Sequence, residues 1–180
     1  GQDNQCVQCT AAKEAACGAN SCNPKMSACT TTPRGSRKTC QSCVADSECG
    51  DSAGVVDANK RCVPMTFDGA PHGTGGYCLQ RRDTAPCTKP YTVLFSAVSL
   101  SGAASESYCG INQSATTCEA VLDLFNSTAC GVDTDCGGGV GGVCKTSLST
   151  GTLACTIPCG LTSDCPGSTT CSDTAAGYCR

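Results

Sequence analysis

Sulfur is the reactive element this chain carries in quantity, with 21 cysteines among 180 residues. Thiols can ligate metals, act as nucleophiles or oxidise in pairs, and their spacing helps to separate these outcomes. Three segments share one pattern. Cys43 to Cys49, Cys130 to Cys136 and Cys159 to Cys165 each enclose five residues, with an acid (Glu48, Asp135, Asp164) just before the second cysteine. Two further cysteines follow each segment, giving the tetrads Cys43, Cys49, Cys62, Cys78; Cys130, Cys136, Cys144, Cys155; and Cys159, Cys165, Cys171, Cys179. Two of the three end on Gly-Tyr-Cys, at Gly76-Tyr77-Cys78 and Gly177-Tyr178-Cys179. A looser copy, Cys17, Cys22, Cys29 and Cys40, precedes them. The remaining set, Cys6, Cys9, Cys87, Cys109 and Cys118, is odd in number. One of these sulfurs is therefore expected to be unpaired or joined to another chain. Spacing leaves the connectivity within a tetrad open. The crossed pairing, first to third and second to fourth, is expected because it lets a short module close on itself.

Other chemistries are poorly supplied. The pairs Cys6/Cys9 and Cys40/Cys43 have the Cys-x-x-Cys spacing of zinc-ribbon ligands, but they would have to stay reduced among seventeen other cysteines. His72, the single histidine, lies in a glycine-rich loop that reads as exposed and has no second imidazole to work with. No Gly-x-Ser-x-Gly, paired-histidine or phosphate-loop motif occurs, and Gly137 to Gly142 lacks a following Gly-Lys-Ser/Thr. No enzyme activity, metal or cofactor is expected. Calcium needs six or more oxygen ligands, more than Asp133-Thr134-Asp135 and its surroundings offer. The acids before the second cysteines therefore read as caps on backbone N–H groups in tight turns.

Acceptor sites for sugar are better represented. Asn112-Gln-Ser114 and Asn126-Ser-Thr128 are both N-glycosylation sequons. Thr30, Thr31 and Thr32, ahead of Pro33, form a tract of the kind that takes O-linked glycans.

The elements that hold these residues must be small. The chain has no Trp, three Phe and four Tyr, too little large apolar side chain for one substantial core. Cross-links compensate by restricting the unfolded chain, by about 3 kcal/mol for a loop of about 15 residues. The fold class is thus small and disulfide-rich, with tandem loop-rich modules, short β-strand pairs and one or two short helices. Its expected divisions are an N-terminal cysteine-rich segment at 1–42, a candidate divergent module, then module one at 43–87. A central insert follows at 88–129, then module two at 130–157 and module three at 158–180. Within the insert, alternation and β-branched residues predict a strand over 91–100. Thr117 as N-cap, Glu119 near the positive end of the dipole, and Val121, Leu122 and Phe125 on one face predict a helix over 117–125. Residues 10–16 have the composition of another short helix.

The string Cys159-x5-Cys165-Pro-Gly-x3-Cys171 resembles half of a whey-acidic-protein module, whose acidic-Cys-Pro-Gly step is followed by a Cys pair. Here that pair is absent: Ser172 follows Cys171 and Lys145 follows Cys144. Dickkopf-like secreted proteins use a similar acidic-Cys spacing, and tandem arrays of this type resemble cysteine-rich surface and matrix proteins of microbes. The whey-acidic resemblance implies protease inhibition.

Disulfides persist in oxidising compartments, and a start at Gly1 without an apolar leader fits a mature secreted product. The expected location is extracellular or at the cell surface. A net charge of −3 argues against nucleic acid, and no stretch approaches the roughly 20 apolar residues of a membrane span. These observations point to a secreted, glycosylated structural subunit of an extracellular filament, coat or matrix that associates with its own copies. The alternative is a secreted binding module such as a protease inhibitor or receptor ligand. A carbohydrate-binding wall protein would call for Tyr77 or Tyr178 exposed over a groove.

Overall fold

The computed structural model describes residues 8–51, 53–64, 66–67, 70–71, 75–104, 106–110, 118–138, 142–147, 150–159, 165, 170–172 and 177–179. Among the described residues, short antiparallel strand pairs dominate, with one α-helix. In chain order the elements are β1 (Asn20–Asn23), β2 (Ala28–Pro33), β3 (Ser42–Cys43), β4 (Lys60–Val63), β5 (Thr66–Phe67), β6 (Ala70–Pro71) and β7 (Gly76–Gln80). Then come β8 (Val93–Ala97), β9 (Glu106–Gly110), α1 (Cys118–Asn126), β10 (Val143–Thr146) and β11 (Leu153–Thr156). β1–β2, β5–β6, β8–β9 and β10–β11 are two-stranded, while β3, β7 and β4 form a three-stranded sheet in that order. Among the described residues, no helix is long and apolar enough to cross a membrane.

Local chemistry explains where these pieces turn. Asn23 Oδ1 accepts the N–H groups of Lys25 and Met26, which bends the chain between β1 and β2. At the β10–β11 tip, Ser147 N–H donates to Thr152 O, and Gly151 takes the positive φ of 70° that the turn needs. Residues 10–16 do not form the expected α-helix. A single 3₁₀ turn occupies Glu14–Cys17, ended by Gly18 at φ 62°. The bridges at Cys9 and Cys17 hold both ends of this stretch, which leaves no room for a second turn.

The strand expected over 91–100 is shorter, at Val93–Ala97. Upstream, Tyr91 N–H turns back to Thr88 O and Thr92 N–H to Pro90 O. Downstream, Leu100 N–H leaves the ladder for Cys62 O and Gly102 N–H closes a turn on Ser99 O. The helix expected over 117–125 spans Cys118–Asn126. Val121 and Phe125, one turn apart, are buried on its inner face while Leu124 is exposed. The side chain of Leu122 and the proposed cap Thr117 lie outside the described residues.

A compact apolar cluster exists despite the composition. Cys40, Val63, Tyr77, Leu79, Tyr91, Tyr108, Cys109 and Val121 pack together, with Phe95 and Ala97 of β8 against them. The cluster joins β4–β7, β8–β9 and α1. Arg81 bridges to Tyr108 and Arg82 N–H donates to Ser107 O, so β9 continues laterally toward the end of β7. That leaves β8 on the outside of the array.

Candidate functional site

The disulfides repeat one geometry. Cys43–Cys62 and Cys49–Cys78 cross in the first tetrad, Cys130–Cys144 and Cys136–Cys155 in the second, and Cys159–Cys171 and Cys165–Cys179 in the third. Each runs first to third and second to fourth. The third and fourth cysteines stand opposite one another across an antiparallel pair: Cys62↔Cys78, Cys144↔Cys155 and Cys171↔Cys179. Residues directly opposite in such a ladder project from the same face. Their two sulfurs therefore meet two others carried by the loop lying over that face.

The N-terminal group obeys the same rule with different members. Cys9–Cys22 and Cys17–Cys29 are bridged, and Cys22 faces Cys29 across β1–β2. The looser copy Cys17, Cys22, Cys29, Cys40 is thus corrected to Cys9, Cys17, Cys22, Cys29. The hairpin pair needs its two loop sulfurs from the preceding segment, and Cys40 lies beyond β2. Across the four groups, the first bridge has Cα–Cα 5.8–5.9 Å and the second 5.3–5.5 Å.

Cys87 and Cys109 pair with each other, tying the start of the central segment to β9. Of the leftover set, Cys9, Cys87 and Cys109 are therefore bridged. Cys40 is also disulfide-bonded. Cys6 and the side chain of Cys118 lie outside the described residues. Cys9 and Cys43, one from each Cys-x-x-Cys pair, are committed to bridges with Cys22 and Cys62.

In three of the four groups carboxylates brace the loop, either within itself or against its hairpin. Glu48 Oε2 accepts the N–H of Val44 at 2.9 Å. Asp135 Oδ2 accepts those of Gly131 and Val132 at 2.8 and 3.1 Å. These two backbone bonds, Gly131 first, hold the Asp135 carboxyl below the ordinary range, with Lys89 adding a smaller pull. Asp164 is outside the described residues. A second set of acids, three positions before the second cysteine, did not stand out in the sequence. Glu14 Oε1 accepts the N–H of Cys22 at 3.3 Å, Asp46 Oδ1 that of Cys62 at 3.0 Å, and Asp133 Oδ1 that of Cys144 at 2.8 Å. In all three the acceptor meets the third cysteine of its group. The recurring acid-x-x-Cys spacing was the available signal, and the fourth group replaces it with Thr162.

The sugar-acceptor residues are placed unevenly. Asn126 closes α1, with Nδ2 donating to Cys179 O at 3.5 Å and Oδ1 buried without a donor. The hydroxyls of Ser127 and Thr128, the rest of that sequon, both donate to Leu124 O and so cap the helix C-terminus. Asn112 and His72 lie outside the described residues. Thr30, Thr31 and Thr32 belong to β2. Thr31 is exposed, whereas the Thr30 hydroxyl is tied to the backbone of Thr32.

Tyr77 and Tyr178 are both buried. Tyr178 nevertheless contributes to the wall of a cavity beside the end of α1, together with Asp123, Asn126 and Lys145. Among the described residues, neighbouring exposed apolar side chains occur at Val55–Val56, 61% and 45% exposed, and on β8 and its exit, where Val93, Leu94 and Val98 are 39%, 56% and 52% exposed. No further described strand pairs with β8.

No family model, no curated protein and no solved structure matches this chain. The whey-acidic and dickkopf-like resemblances remain short cysteine patterns. Extensive disulfide bonding is consistent with an extracellular protein.

Proposed function

We propose that this chain is a secreted structural subunit of an extracellular filament, coat or matrix. It is built from tandem four-cysteine units and joins copies of itself through the open edge of β8. The observation that carries this reading is β8 itself. It is an outer strand with Leu94 exposed on one face and Val93 on the other, and among the described residues only β9 pairs with it. An unpaired edge presents a row of N–H and C=O groups to any extended partner, and monomeric proteins usually blunt such edges with charge or proline. The residues of β8 are Val-Leu-Phe-Ser-Ala, with neither. The four crossed bridge pairs favour a unit whose rigidity does not depend on a large core. N-linked sugar at Asn112 or Asn126 and O-linked sugar at Thr31 would coat the surface of the assembly.

The test is the size of oxidised wild-type chain beside Leu94→Lys and Ser96→Pro variants, read by light scattering and negative-stain microscopy. Wild type is expected to form large assemblies, and both variants monomers with unchanged disulfides. A wild-type chain that stays monomeric at high concentration defeats the proposal and turns attention to a secreted binding module.

A further inference from the structure

β9 occupies one of the two edges of β8, and among the described residues nothing pairs with the other. Two copies that meet through this free edge bring the same edge of the same strand to the contact. A two-fold axis therefore relates them, and the contact closes on itself. An axis perpendicular to the sheet makes the strands antiparallel and keeps their exposed faces on one side. The register is then fixed by the residue that lies on the axis. Alternation divides β8 and its exit into two faces. On one, Phe95 and Ala97 pack against the apolar cluster. The Phe95 ring leans toward β9, where a Cβ on Gly110 would lie 2.5 Å from its Cε1, so it stays off the free edge. The other face carries Leu94, Ser96 and Val98, all exposed. An axis at Leu94 covers that residue with its copy but leaves Val98 across from the Pro90 turn. An axis at Phe95 sets Leu94 opposite Ser96 and Val98 opposite Thr92, each apolar group against a hydroxyl. An axis at Ser96 sets Leu94 of each copy opposite Val98 of the other. It also brings the two serines face to face and Phe95 opposite Ala97, large against small. Apolar and hydroxyl pairs of these kinds are the ones that stabilise neighbouring strands. Beyond Val98 the chain turns away, with Ser99 donating to Asp46. Charge does not oppose the contact, because residues 90–105 include no Asp, Glu, Lys, Arg or His.

Resting on the reading of β8 as the edge that joins copies, we propose that two copies of this chain pair antiparallel through β8 about a two-fold axis at Ser96. Each Leu94 then packs on the other copy's Val98. The array runs from β7 through β9 and β8 into β8, β9 and β7 of the second copy, and no free β8 edge remains. Larger assemblies are therefore built from pairs. A pair carries every other surface twice, so contacts too weak to hold single chains together can join pairs.

The experiment mixes charge variants of the full oxidised chain and reads mass by analytical ultracentrifugation. Ser96→Lys and Ser96→Glu each set like charges opposite one another at the axis. Each alone should associate about tenfold or more weakly than wild type. An equimolar mixture of the two should recover the wild-type association. Leu94→Lys should recover in the same way when mixed with Val98→Glu, its facing position. Leu94→Lys mixed with Leu94→Glu should not, because the two copies of residue 94 are about 13 Å apart along the strands. All three positions are exposed, so every variant should keep the native bridges, checked by non-reducing peptide mapping. Recovery by the two Leu94 variants together, or none by the two Ser96 variants together, overturns the Ser96 axis while assembly through β8 stands. Wild-type chain that is monomeric at every concentration overturns both.

Discussion

In three of the four groups a single carboxylate links the disulfide loop to its hairpin. Asp46 makes the fullest use of its oxygens, accepting from Cys62 N, from Ser99 Oγ at 2.8 Å, and facing Arg61 Nε at 3.4 Å. Asp46→Ala would leave the Cys62 amide without this acceptor. It should lower stability by about 2–4 kcal/mol, measured by guanidinium unfolding with the bridges intact. A loss below about 0.5 kcal/mol would reduce this contact to decoration. Asp135 makes a prediction in pH. Its folded pKa lies below the unfolded value, so its contribution is complete above the ordinary carboxylate range. It is lost as pH falls through the depressed value. The amide shifts of Gly131 and Val132 should titrate together with a midpoint below that range; a midpoint at the ordinary value refutes the assignment. The sequence showed one set of acids and hid the other. Glu48 and Asp135 touch the second cysteine and are conspicuous. Glu14, Asp46 and Asp133 act on a residue 8 to 16 positions away, which depends on the hairpin being in place.

At the level of elements, the β8–β9 hairpin shows what alternation reveals and what it omits. The pattern at 91–100 identified a strand, yet the outer residues are taken by turns whose acceptors, such as Cys62 O, come from elsewhere in the chain. Cross-strand packing explains the two strands' composition. Phe95 lies 6.0 Å from the ring of Tyr108, and a Cβ on Gly110 would come within 2.5 Å of Phe95 Cε1. Gly110→Ala should therefore cost about 1–3 kcal/mol by overpacking. Phe95→Ala should cost about 2–3 kcal/mol by leaving a void. The double variant should lose clearly less than the sum, because removal of the ring makes room for the methyl. Strict additivity in a double-mutant cycle would show that the two do not touch. Helix α1 was legible to within a residue because Val121 and Phe125 keep helical spacing. The 3₁₀ turn at Glu14–Cys17 was misread as helix because Ala and Glu favour helices wherever they fall, whereas two nearby bridges decide the outcome.

The whole molecule was the most legible in its sulfur and the least in its centre. Cysteine identity is explicit in a sequence, so three groups could be drawn correctly. The N-terminal group was shifted because seven residues lie between Cys9 and Cys17 instead of five. The tyrosine-centred cluster could not be foreseen. Tyr77, Tyr108 and Val121 come from three separate elements and Tyr91 from the turn before β8, and nothing in local spacing says they converge. Non-reducing peptide mapping should return the nine bridges described here, with Cys40 joined to Cys6 or Cys118. Any cross-group pair among the other cysteines would contradict the architecture. Removing Cys49–Cys78, 29 residues apart, should destabilise more than removing Cys159–Cys171, 12 apart. The chain-entropy estimates are about 3.6 and about 2.8 kcal/mol. The facing cysteines of each hairpin have a mechanical corollary. Because each is welded to the overlying loop rather than to the other, a pull on the two ends of a group tends to part the facing cysteines and so loads the ladder's hydrogen bonds at once. Under tension such a group should yield first at its ladder and then stop, at a length set by the short stretch of backbone between its first two cysteines.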